Sequence, residues 1–131
     1  MKKENAVAVT THVSKERMSD LLCNALEGGS NYWYRIEKFV EPPSLTFRSD
    51  PKTIFTHLDY PMNDGGALEI SSLEEPEREH VMLTLDKLRK GLTLMAEKYP
   101  HHWTDFLKEN DDATTGDVFL QLAVFGELVY G

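Results

Sequence analysis

The chain has 131 residues, 40% of them hydrophobic and 27% charged, and a formal net charge of −8 from 22 acidic and 14 basic side chains. These proportions fit one globular domain with its own core and exclude wholesale disorder. The acidic balance argues against direct nucleic-acid binding, which needs clustered Lys and Arg to displace counterions, and against adhesion to anionic membranes. It leaves two partner classes: a cationic protein, or a small molecule in a pocket whose local charge departs from the average.

The single cysteine, Cys23, sits among Leu21, Leu22, Ala25 and Leu26 and reads as a buried structural thiol in a reducing compartment. No apolar run approaches the roughly 20 residues that a bilayer span needs. The expected location is cytoplasmic, with no membrane contact.

In chain order, residues 1–12 read as a tail or a short first strand, and residues 13–131 as a single α+β domain. Ser14 is placed to cap a first helix, with Val13 and Met18 at the spacing of a hydrophobic staple. Met18, Leu21, Leu22, Ala25, Leu26, Tyr32, Trp33, Ile36 and Phe39 keep one helical phase. The favoured expectation is therefore one helix running through Gly28-Gly29. The alternative is a break there with Ser30 or Asn31 as a new cap.

Pro42-Pro43 ends this segment, and residues 45–48 read as a short strand. Residues 53–60 alternate and predict a strand, Asn63-Asp64-Gly65-Gly66 a hairpin turn, and residues 67–71 the return strand. Glu74, Glu75, Glu77 and Glu79 form an acidic loop before a third strand at residues 80–83.

Thr84 caps the next helix, striped by Leu85, Leu88, Leu92 and Met95, and Gly91 in mid-helix predicts a close backbone approach. A short amphipathic helix follows at residues 101–110. The last helix, with Thr114 and Asp117 as its capping box, is apolar nearly all round from Val118 to Tyr130 and should be buried on several sides. The expected fold is thus a small antiparallel sheet, a hairpin plus one or two strands, packed with about four helices. The first and last helices cross in its core at Gly28, Gly29 and Gly126, with Ala123 and Gly126 facing Ala25 and Gly29.

No pattern fixes a chemistry. His12, His57, His80, His101 and His102 lack metal-ligand spacing, so no metal or other cofactor is expected. The oxygen-rich stretch Glu109-Asn110-Asp111-Asp112 lacks the glycine and final glutamate of a calcium loop. There is no nucleotide-binding glycine loop and no nucleophile elbow. What remains is Asn31-Tyr32-Trp33-Tyr34-Arg35, aromatics with an arginine, and the pair Asp117 and Gln121 on an otherwise apolar helix. Buried polar groups need partners, and Asn24, Asn31 or Arg35 are placed to supply them. Asn31, Tyr34, Arg35, Asp117 and Gln121 are accordingly the candidate ligand-binding residues. The exposed side of Tyr34 or the hairpin edge also offers a surface for a homodimer.

The segments Ala25-Leu26-Glu27-Gly28-Gly29-Ser30-Asn31-Tyr32-Trp33, Asp117-Val118-Phe119-Leu120-Gln121 and Phe125-Gly126-Glu127-Leu128-Val129-Tyr130-Gly131 resemble small uncharacterised proteins of phages, prophages and plasmids. Leu83-Thr84-Leu85-Asp86-Lys87-Leu88 and Gly91-Leu92 fit the same pattern, so the resemblance spans most of residues 18–131. It lends no catalytic residue. It implies a mobile-element accessory protein acting by binding, with an anti-defence role. The sequence reading is a non-enzymatic protein holding a small, nucleotide-like ligand. The alternative is an acidic inhibitor of a basic nucleic-acid-binding host protein, of the DNA-mimic or anti-CRISPR kind.

Overall fold

The computed structural model describes residues 9–48 and 56–131. Among these residues, four α-helices and a three-stranded antiparallel sheet make an α+β fold: α1 (Lys15–Asn24), β1 (Tyr34–Val40), β2 (Ala67–Ser72), β3 (Val81–Leu83), α2 (Leu85–Lys98), α3 (Pro100–Leu107) and α4 (Ala113–Phe125).

Ser14 caps α1, its hydroxyl accepting from the Arg17 amide at 3.1 Å, and Met18, Leu21 and Leu22 turn inward. The helix does not run through the glycines. It widens into a single π turn at Ala25–Gly29, closed by the Ser30 amide donating to the Ala25 carbonyl at 2.9 Å. The chain then re-emerges as β1. Two glycines cost a helix about 2 kcal/mol relative to alanine, and the aromatic and β-branched run that follows suits a strand better than a helix.

That strand is the largest correction to the sequence reading. β1, not residues 53–60, pairs with β2, from Tyr34 opposite Ser72 to Val40 opposite Ala67. Residues 53–55 lie outside the described residues, and residues 57–60 form a turn. Residues 45–48 are not a strand either. The Asn63–Gly66 turn exists, with Gly65 at φ +87°, but it closes a long connection instead of a tight hairpin. Asn63 is fully buried there. Its Oδ1 accepts from the amides of Thr46 and Phe47 at 2.8 and 2.7 Å, and its Nδ2 donates to the carbonyls of Phe47 and Asp59 at 2.6 and 2.7 Å. One side chain thereby supplies the ladder that the missing strand would have made.

β2 is the central strand, and β3 pairs with it from Leu68 opposite Leu83 to Ile70 opposite Val81. β1 forms one edge. Glu37 bulges out of its register, and the charged Arg35, Glu37 and Lys38 are exposed, features that discourage edge-to-edge pairing.

α4 is the hub. Every residue from Val118 to Val124 is buried, and all but Gln121 join one cluster with Leu21 and Leu22 of α1, Leu88 and Met95 of α2, and Leu68, Ile70 and Leu83 of the sheet. Glycine and alanine set the closeness of its neighbours. A Cβ on Gly91 would lie 2.8 Å from Ala123, and one on Gly116 2.7 Å from the Ala25 amide nitrogen. A Cβ on Gly29 would overlap the Ala113 carbonyl. The end of α1 therefore does cross α4, but through Gly116 against Ala25 and Gly29 against Ala113. Gly28 has ordinary space, its would-be Cβ 3.9 Å from that of Ala113. Gly126 takes no part in the crossing: at φ +79° it is the left-handed cap that ends α4, with nothing within 4 Å of a Cβ. The helix accordingly stops at Phe125, short of the expected Tyr130. Its start differs too. Asp112, not Thr114, is the cap, accepting from the Thr115 amide at 3.0 Å, which releases Asp117 for other partners.

Candidate functional site

Asp117 and Gln121 stand one turn apart on α4, so their side chains emerge side by side. The break at Gly28-Gly29 brings the next four residues over them. Asp117 Oδ1 accepts from Ser30 Oγ and Trp33 Nε1, both at 2.7 Å. Asp117 Oδ2 accepts from Tyr32 Oη at 2.7 Å and from Gln121 Nε2 at 3.1 Å. Ser30 and Trp33 are fully buried, and Gln121 nearly so. A buried indole N–H needs an acceptor, and a carboxylate makes the strong, charge-assisted kind.

Gln121 works in the other direction along the chain. Its Oε1 accepts from the amides of Val129 and Tyr130, both at 2.8 Å, and its Nε2 donates to the Tyr130 carbonyl at 3.1 Å. An amide that both donates to and accepts from one backbone segment acts like a strand partner, so residues 129–130 are clamped to α4. The Tyr130 ring packs on Trp33 and Phe125, with centroids 5.5 and 5.7 Å away.

Beyond Tyr130 lies a closed ring of hydrogen bonds. The Glu75 amide donates to Ser72 Oγ at 2.9 Å, and Tyr130 Oη donates to Glu75 Oε1 at 2.8 Å. Tyr130's one proton is thereby used, so Ser72 Oγ must donate to Tyr130 Oη across their 2.6 Å contact. This ring fastens the first turn of the acidic β2–β3 loop. Arg78 on the same loop stacks over the Phe125 ring at 4.9 Å and reaches Glu75 at 3.4 Å.

The pKa shifts follow from this wiring. Burial, then the hydrogen bond to the Asp117 carboxylate, pushes Tyr32 up to about 12. Burial also raises Tyr130 and Tyr34. All three phenols are therefore neutral donors at ordinary pH. Burial, reinforced by Glu27 and Asp20, raises the Cys23 thiol, which suits a structural role over a nucleophilic one. Among the described residues, no group of three or more His, Cys, Asp or Glu is placed to hold a metal ion, and no helix is long and apolar enough to cross a membrane.

Of the five residues singled out from sequence, Asp117 and Gln121 come together and the other three lie elsewhere. Asn31 is exposed on the turn before β1. Tyr34 Oη donates to the Leu26 carbonyl at 2.6 Å. Arg35 is solvent-facing and pairs with Glu37 at 3.3 Å. Asn24, another expected partner of the pair, binds Asp111 instead, at 2.9 Å. The residues that complete the network, Ser30, Tyr32, Trp33 and Tyr130, escaped the sequence reading because the helical phase assigned Tyr32 and Trp33 to an apolar stripe. The need of a buried Trp for an acceptor was the signal that could have found them. Compared with protein-family models, with curated proteins and with solved structures, the chain has no significant match.

Proposed function

We propose that the protein acts by binding a basic protein partner through the acidic face around the β2–β3 loop. In the setting the resemblance implies, it is a phage or mobile-element accessory protein that blocks a nucleic-acid-binding host protein, an anti-defence role included. One observation carries the reading. Glu74, Glu75, Glu77 and Glu79 crowd a loop held by the Ser72–Tyr130–Glu75 ring. Beside it, Leu73 and Tyr32 are 49% and 44% exposed, and the Leu73 amide donates to the Trp33 carbonyl, which ties the start of the loop to the residue after Tyr32. An apolar centre with a charged rim is the usual anatomy of an interface. A loop already fixed gives up little entropy when it docks, and concentrated negative charge speeds encounter with a cationic surface.

The reading as a small, nucleotide-like ligand at Asn31, Tyr34, Arg35, Asp117 and Gln121 has weaker support. The oxygens of Asp117 and the amide of Gln121 are taken up by the chain itself. The test is affinity capture from host lysate with the wild-type protein and with the Glu74→Lys/Glu77→Lys/Glu79→Lys variant, at low and high salt. A basic protein should be retained by the wild type at low salt and released by high salt or by the variant. Capture indifferent to charge reversal overturns the proposal. A rise in thermal stability with a nucleotide panel would return the argument to the ligand reading.

A further inference from the structure

A groove of about 730 Å3 runs between residues 9–13, α1, α2 and α3 and shares no residue with the acidic face. That volume is within the roughly 300–1,000 Å3 of small-molecule sites. Its floor is apolar, with Met18 and Leu92 at the base and Ala96 and Trp103 beside them. Trp103 is partly exposed and stacks on Phe106 with centroids 5.6 Å apart, so its remaining face is a rigid apolar wall.

The charges around the groove invert the protein's average. Arg89, His12 and Lys15 line it, with Glu97 as the one carboxylate, and the Lys15 ammonium donates to the Met62 carbonyl at 3.4 Å. Among the described residues, Arg17, Arg35, Arg48 and Arg78 each have a carboxylate within 4 Å, and Arg89 has none. In a chain with 22 acidic residues, an arginine left unpaired at the mouth of an apolar groove is poised for an external anion. Direction follows from helix geometry. Glu97 is eight residues beyond Arg89 on α2, about 12 Å along the axis. Leu92 and Ala96 lie between them, and Trp103 follows on the helix that succeeds α2.

We infer that this groove binds a small amphipathic anion, with its negative head at Arg89 and its apolar body lying along Leu92 and Ala96 towards Trp103. Glu97 at the far end repels a second negative charge and selects ligands with one anionic head.

The probe is decanoate below its micelle concentration, with decanol and decylamine as neutral and cationic counterparts. Calorimetry and tryptophan emission are the readouts, since Trp103 lines the groove and Trp33 is fully buried elsewhere. Decanoate should bind saturably, one per chain, and shift the Trp103 emission. Decanol and decylamine should bind at least about tenfold more weakly, the worth of one charge-assisted contact. Arg89→Glu, on an exposed helix face, should weaken decanoate about tenfold or more with the circular dichroism unchanged. Charge reversal at Glu74, Glu77 and Glu79 should leave decanoate affinity unchanged, which keeps this site distinct from the acidic face. The inference is overturned by absence of saturable binding, by decanol binding as tightly as decanoate, or by indifference to Arg89→Glu.

Discussion

Asp117→Ala tests the wiring of the core directly. The substitution removes the acceptor of Ser30 Oγ and Trp33 Nε1, both in fully buried residues, of Tyr32 Oη, which is exposed enough to turn to water, and of Gln121 Nε2, which keeps the Tyr130 carbonyl. A buried donor that loses its partner costs about 1–3 kcal/mol. Two such donors put the loss at about 2–6 kcal/mol, a large part of the roughly 5–15 kcal/mol that holds a domain together. Asp117→Asn is the discriminating companion. Its Oδ1 still accepts from Ser30 and Trp33, but its Nδ2 meets the Gln121 amide donor, so the expected loss is about 1–2 kcal/mol. Urea denaturation followed by circular dichroism gives the free energies, and the Trp33 indole proton in NMR reports the local bond. The reasoning fails if Asp117→Ala costs less than about 1 kcal/mol, or if the asparagine variant costs as much as the alanine.

Three further outcomes follow from the same geometry. Gly29→Leu should cost more than about 3 kcal/mol or prevent folding, because its side chain meets the Ala113 backbone. Gly28→Ala should change stability by less than about 1 kcal/mol, and Gly126→Ala should cost only about 1 kcal/mol for its left-handed φ; denaturant midpoints rank the three. Asn63→Ala removes a buried side chain that bonds residues 46, 47 and 59, and should cost about 3 kcal/mol or more by thermal melts, with faster amide exchange at Thr46 and Phe47. Tyr32, raised to about 12, keeps its proton more firmly folded than unfolded, so its contribution is complete below the unfolded value near 10 and fades as pH rises towards 12. Ultraviolet titration should show late-ionising tyrosines, Tyr34 and Tyr130 among them, and one fewer in Tyr32→Phe; no difference between the two proteins would contradict the bond to Asp117.

The parts of the fold legible in the sequence are those where one physical signal dominates. Thr84 before the Leu85, Leu88, Leu92 and Met95 stripe marks α2, and the Gly91 contact with Ala123 follows from a glycine that a surface helix has no use for. β1 was misread because two periods coincide there. Trp33, Ile36 and Phe39 are three apart, as on a helix face, yet Tyr34 and Ile36 also alternate with the exposed Arg35 and Glu37. The helical cost of Gly28-Gly29 and the strand preference of Tyr, Trp, Ile, Phe and Val outweigh the phase argument. Once β1 moves, its partner moves with it, and the turn at Asn63 loses the hairpin expected of it. The candidate site followed the same logic. Asp117 and Gln121 stand out as polar groups in a buried helix, but their partners come from the turn just before β1 and from Val129 and Tyr130.

An apolar helix such as α4 has a particular difficulty: little in its hydrophobic surface says which way round it should face. Packing against Ala25 and Gly91 limits how close its neighbours come, but leucines and valines on every side leave rotated alternatives of similar burial. Asp117 and Gln121 remove those alternatives, since turning α4 would carry both into apolar surroundings and strand Ser30, Trp33 and the amides of Val129 and Tyr130 without partners. The same two residues carry that orientation outward. Asp117 fixes the start of β1 through Trp33, and Gln121 fixes Tyr130, whose hydroxyl holds Glu75. The position of the acidic loop, with its four glutamates between Leu73 and His80, is therefore set from the middle of the core through the one glutamate, Glu75, that Tyr130 holds.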